Sequence, residues 1–84
     1  MYGLVYSESA KRELKKLPRP IQEQIIAKLE RARIRPEHFF ERLVGLDSYK
    51  LRVGQYRIIA DILQDRLVIL VIEVGHRRNI YKGR

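Results

Sequence analysis

An α+β fold in the order β-α-α-β-β-β is expected here, with an N-terminal helical hairpin packed on an antiparallel-rich sheet. Three observations lead to it. Helix-period apolar spacing is confined to residues 10–32, and two prolines interrupt it. Three β-rich runs then follow one another, separated only by Gly54-Gln55 and Gln64-Asp65-Arg66. Finally, 84 residues with 45% hydrophobic and 33% charged side chains make one small globular domain, residues 1–84.

Residues 2–6 form a Tyr/Val-rich run that reads as a first strand. Ser7 supplies an N-cap oxygen, and Ala10, Leu14 and Leu17 recur on one side of a helix over residues 9–17. Pro18 stops that helix, and Pro20 suits the first turn of the next. Ile21, Ile25, Leu29 and Ala32, with Ile26 beside them, give the second helix its apolar stripe, and Pro36 closes it. The sheet continues through residues 48–53, 56–63 and 67–74. The last run, Leu-Val-Ile-Leu-Val-Ile-Glu-Val, does not alternate, which suggests a central strand covered on both faces. Residues 36–47 are the one long connection.

Composition narrows the function. There are 18 Lys and Arg against 10 Asp and Glu, a formal net charge of +8, and the isoelectric point is near 10.2. Such a field attracts polyanions: nucleic acid first, an acidic protein second, an anionic membrane surface third. With no cysteine there is no disulfide and no thiolate chemistry, which fits a reducing cytoplasm. The start resembles no secretory signal, and the longest apolar run, residues 67–72, is far below the roughly 20 residues that span a bilayer. A soluble, unexported protein without a membrane partner is expected.

Geometry sharpens that expectation. If Gly54 and Gln55 are the loop of a two-residue hairpin, Val53 faces Tyr56, Arg52 faces Arg57, Leu51 faces Ile58 and Lys50 faces Ile59. Leu51, Val53, Tyr56 and Ile58 then face the helices, while Lys50, Arg52 and Arg57 converge on the other side. Like charges directly across a ladder destabilise it, a cost that makes sense where a polyanion sits. The blander reading is a solvated strand face, or pairing with Asp47, Asp61 or Glu73. Beyond the last strand, Gly75 bends the chain and His76, Arg77, Arg78 and Tyr81 gather at one sheet end. Guanidinium forks suit phosphate oxygens and an aromatic ring can stack a nucleobase, although a short basic tail would look the same.

His38 and His76 are far apart, and only Asp61 and Glu73 among the strand acids have a chance to meet, so neither a metal site nor any other cofactor is expected. RNA can be cut without a metal because its 2′-hydroxyl is a built-in nucleophile. The protein must then supply a base, cations for the charge that develops on phosphorus, and an acid for the leaving 5′-oxygen. Arginine keeps its proton, so Lys50 and His76, both crowded by cations, and Tyr81 are the candidate proton carriers.

The run Tyr49-Lys50-Leu51-Arg52-Val53-Gly54-Gln55-Tyr56-Arg57, followed by Val74-Gly75-His76-Arg77 and Tyr81, resembles the RelE/ParE toxin superfamily, as does the earlier Lys16-Leu17-Pro18 connection. The resemblance covers nearly the whole chain. It implies a RelE/ParE-like fold and, in the RelE branch, a ribosome-dependent endoribonuclease that cuts mRNA in the A site by 2′-hydroxyl attack. It further implies that Arg57 and Arg77 hold the scissile phosphate, with Lys50 and Arg52 as the basic strand residues. Lys50 would orient or activate the nucleophile, and Tyr81 would stack on a base or move a proton. Arg78 joins the RNA-binding set. Because the chain reads Lys50-Leu51-Arg52 in a shortened hairpin arm, His76 stands as a substitute base. A small acidic or amphipathic, RelB-like antitoxin is the implied partner in a hetero-oligomer, besides mRNA and the ribosome. A ParE-like inhibitor of DNA gyrase and a non-catalytic RNA- or antitoxin-binding module are the alternatives. A helix-turn-helix DNA binder is disfavoured by the proline-containing connection.

Overall fold

The computed structural model describes residues 1–43, 45 and 47–76. Its elements run β1 (Gly3–Tyr6), α1 (Glu8–Lys15), α2 (Arg19–Ala32), a 3-10 turn (Pro36–His38), β2 (Glu41–Arg42), β3 (Tyr49–Val53), β4 (Tyr56–Leu63) and β5 (Val68–His76). The five strands form one sheet in the order β1-β5-β4-β3-β2. Every neighbour pair is antiparallel except β1 with β5. The expected order of elements is therefore found, with one addition: β2 lies inside the long connection.

Ser7 caps α1 as expected, its Oγ accepting the Ala10 N–H at 3.0 Å. The same hydroxyl donates to the Ile72 carbonyl at 2.9 Å, which welds the helix start to the last strand. Ala10 and Leu14 point into the core, and α1 lies along β5. α2 starts after Pro18 with Pro20 in its first turn, and buries Ile25, Leu29 and Ala32. Ile26, counted with that stripe from spacing alone, is 38% exposed. Pro36 does not close α2. The helix ends at Ala32 and Pro36 opens the 3-10 turn instead. Arg33 ties this end to the start of the chain: Tyr2 N donates to the Arg33 carbonyl and Arg33 Nε to the Tyr2 carbonyl, both at 2.8 Å.

Both helices cover the same sheet face, where Leu51, Ile58, Ile69 and Val71 complete the core. β5 is central, as expected, yet it is buried alternately rather than throughout: Ile69, Val71 and Val74 face the helices, and Val68, Leu70 and Ile72 are half-buried. Its alternation is broken by a bulge, because Ile59 pairs with Glu73 and Ala60 with Val71, leaving Ile72 as an extra residue. The sequence pattern does not alternate because the second face, with Val68, Leu70 and Ile72, is itself apolar and half-buried. Neither helix is long and apolar enough to cross a membrane.

Candidate nucleic-acid interface

The β3–β4 hairpin has the register that its two-residue loop demands: Val53 opposite Tyr56, Arg52 opposite Arg57, Leu51 opposite Ile58, Lys50 opposite Ile59. Gly54 holds the first loop position at φ 58°, where a side chain would be strained. Leu51, Val53 and Ile58 are buried under the helices. Paired residues share a face, so Lys50, Arg52 and Arg57 stand together on the face away from the helices. Arg52 is exposed and Lys50 half-buried. Arg57 is only 8% exposed and is the one buried charged residue among those described. Sinking a guanidinium into the middle strand of a sheet, opposite a second guanidinium, costs stability that an apolar residue would not.

Of the three acids named in the sequence as partners for these cations, one is paired with a different cation and one is hydrogen-bonded to a hydroxyl. Asp47 pairs with Arg42 at 2.9 Å, and Asp61 accepts the Ser48 hydroxyl at 3.1 Å. Glu73 stands opposite Ile59 on the cationic face itself. On the outer flank of β3, Glu41 is the register partner of Lys50.

His76 is placed differently from the cations. Register puts it opposite Tyr56, and their rings meet edge to face at 5.6 Å. Since Tyr56 is on the helix side, His76 is at the same sheet end as Arg57 but on the opposite face. Gly75 does not bend the chain out of the sheet as expected: β5 runs on to His76, and Gly75 is the strand residue beside Arg57. Arg77, Arg78 and Tyr81 lie outside the described residues. Among those that are described, no three or more His, Asp or Glu side chains cluster as metal ligands.

Both helices also reach the backbone of the site. Lys28 Nζ of α2 donates to the Arg52 carbonyl at 2.9 Å, and Glu13 Oε1 of α1 accepts the Val74 N–H at 2.8 Å. Neither residue stands out from composition. The signal for Glu13 is its spacing: three residues after Ala10, it shares the sheet-facing side of α1.

The chain as a whole is similar to known proteins. A family model described as the ParE toxin of type II toxin–antitoxin systems (parDE) matches residues 4–81. The chain belongs to the RelE/ParE superfamily of type II toxins. Within that superfamily it is 34% identical over 79 residues to the mRNA interferase toxin RelE of Escherichia coli K12, a match covering 90% of this chain and 83% of that one. Its fold superposes on the toxin-antitoxin complex RelBE of E. coli with a TM-score of 0.80, at 31% identity, covering 90% of this chain and 96% of that chain. For the isolated E. coli RelE toxin the TM-score is 0.79 at 31% identity, with 90% and 84% covered. The RelE/ParE-like fold expected from the sequence is thus the fold found.

A concavity lies on the helical side. A cleft of about 360 Å³ is lined by Tyr6, Lys11, Leu14, Lys15, Gln22, Ile26 and Glu30. Burial holds the Tyr6 phenol above its ordinary value of 10.0, and the nearby Glu30 carboxylate adds to the effect. The unfolded chain therefore loses this proton more readily than the native one. The stabilisation is complete below about pH 10 and disappears as pH climbs from there through the native value. Tyr6→Phe is expected to flatten the alkaline fall in Tm, checked by melts of both proteins between about pH 9 and pH 11.

Proposed function

We propose that this toxin is a RelE-like mRNA endoribonuclease that acts on the ribosome without a metal. The observation that carries the reading is the buried Arg57, set opposite Arg52 and on the same face as Lys50. A strand face built this way suits a substrate with phosphate charge to share among several cations. The relatives named mRNA interferases add to it.

In the proposed reaction the mRNA lies across this face in the ribosomal A site. Lys50 orients the 2′-hydroxyl and takes its proton as the 2′-oxygen attacks the adjacent phosphorus. Arg57, with Arg77, holds the phosphate oxygens while negative charge builds on them. The bond to the 5′-oxygen breaks, that oxygen takes up a proton, and the products are a 2′,3′-cyclic phosphate and a 5′-hydroxyl. Arg52 and Arg78 bind the flanking backbone, and Tyr81 stacks on a base or carries the second proton. His76, on the helix-side face with Tyr56, is the less suitable base of the two. A small acidic or amphipathic RelB-like antitoxin, matched to the +8 charge, is the proposed inhibitor, as in the RelBE complex that the fold resembles.

Purified toxin mixed with programmed ribosomes tests this. Cleavage in the A-site codon is expected, with 2′,3′-cyclic phosphate ends, and the double variant Arg57→Ala/Arg77→Ala should remove it. No cleavage by the parent protein, or cleavage that survives the double substitution, would overturn the mechanism. The family model's ParE description supports one other reading, a gyrase inhibitor on the same fold. Induced cells separate the two: translation stops at once under the first, whereas DNA breaks and filaments accumulate under the second.

A further inference from the structure

We infer that Glu13, a residue of α1 outside the cationic face, is a positioning residue for the end of β5 beside Arg57. This rests on the function proposed above for that face.

Sheet geometry creates the need for it. β1 pairs with β5 only through Val71, the partner of Tyr6. Past that point β5 still runs to His76, with, among the described residues, a neighbouring strand on its β4 side alone. Three hydrogen bonds from α1 and its cap residue take the place of a strand there. Ser7 N donates to the Val71 carbonyl at 2.9 Å, Ser7 Oγ donates to the Ile72 carbonyl at 2.9 Å, and Glu13 Oε1 accepts the Val74 N–H at 2.8 Å. The bulge at Ile72 makes the last of these possible. One extra residue inverts the phase of the strand, so that Val74 rather than Glu73 turns its N–H away from β4 and toward the helix.

What the contact holds is the site end of the strand. Val74 is opposite Ile58, Gly75 is opposite Arg57 and His76 is opposite Tyr56. A glycine opposite the buried arginine brings backbone, not a side chain, against that flank, so the strand's path there determines where the Arg57 guanidinium rests. Glycine's freedom makes the path easy to lose. Glu13 is half-buried, and its contact is made to a backbone donor rather than to a cation. An acceptor oxygen at that point is what the geometry requires, not a negative charge.

Glutamine keeps that oxygen and alanine removes it, which separates the role from both charge and generic packing. In Glu13→Ala the single-turnover rate of A-site cleavage is expected to fall at least tenfold, with the ribosome concentration for half-maximal rate unchanged within about twofold. Glu13→Gln is expected to stay within threefold of the parent. Amide hydrogen exchange supplies a readout independent of activity: protection of Val74 and Gly75 should drop in the alanine variant and persist in the glutamine variant, while Ile69 and Val71 stay protected in both. Unchanged exchange at Val74 in Glu13→Ala, or a glutamine variant as impaired as alanine in either readout, overturns the proposal. If the parent protein cuts no RNA, the function proposed above fails, and the exchange pattern alone still decides whether Glu13 positions β5.

Discussion

Arg57→Ala is expected to slow A-site cleavage by about 10²–10³-fold, the usual penalty for losing one group that stabilises charge in the transition state. Its position explains the size. β4 is the middle strand of five, and its arginine is nearly enclosed, so neither solvent nor a neighbouring long side chain substitutes for it readily. Arg57→Lys keeps the charge but loses the planar fork, and is expected to regain only about tenfold of the loss. Stability should move little in the alanine variant. Relief of the Arg52–Arg57 repulsion, about 0.2–1 kcal/mol, works against the lost packing of the arginine stem. Single-turnover cleavage and thermal melts on the same samples check both parts. A variant that loses its Tm along with its activity would show Arg57 to be a structural residue.

Leu29→Ala is the largest stability change expected. Leu29 is fully buried on α2, in the cluster that joins this helix to the sheet. Truncating such a leucine costs about 2–5 kcal/mol, against a total of about 4–13 kcal/mol for a domain this small. The melting temperature should fall by roughly 10–20 °C or more. Because α2 also donates Lys28 to the Arg52 carbonyl, the loosened helix should weaken cleavage together with stability. Denaturant melts compared with Ile26→Ala, at an exposed position of the same helix, test it: the control should shift little.

The hairpin face is legible in the sequence because two local rules suffice there. A Gly-Gln loop sets the pairing, and pairing sets the face of Lys50, Arg52 and Arg57. α1 and its Ser7 cap are legible for the same reason, since cap and stripe lie within a few residues. What is not legible depends on distant partners. The two polar residues of β2 carry no strand pattern and are strands only because β3 offers an edge. The parallel β1–β5 pair joins chain segments some 65 residues apart, with no local signal. The burial of Arg57 and the placement of His76 on the helix side both follow from the register of β4 against β5, which includes a bulge. Spacing on α2 likewise places Ile26 with the core because a stripe has no sharp edge, whereas the side chain borders the open cleft on the helical side.

The parallel pair has a consequence for the order in which the toxin comes into being. β1, α1 and α2 are synthesised first, yet among the described residues β1 has one strand neighbour, β5, which is the last of the described strands to be made. The Ser7 hydroxyl likewise waits for the Ile72 carbonyl. Until β5 has formed, β1 has no strand beside it and Arg57 has a strand only on its β3 side. Long-range pairings of this kind close late and slowly. Among the described residues, the buried arginine therefore gains its second flanking strand only after β1, both helices and the β3–β4 hairpin have been made.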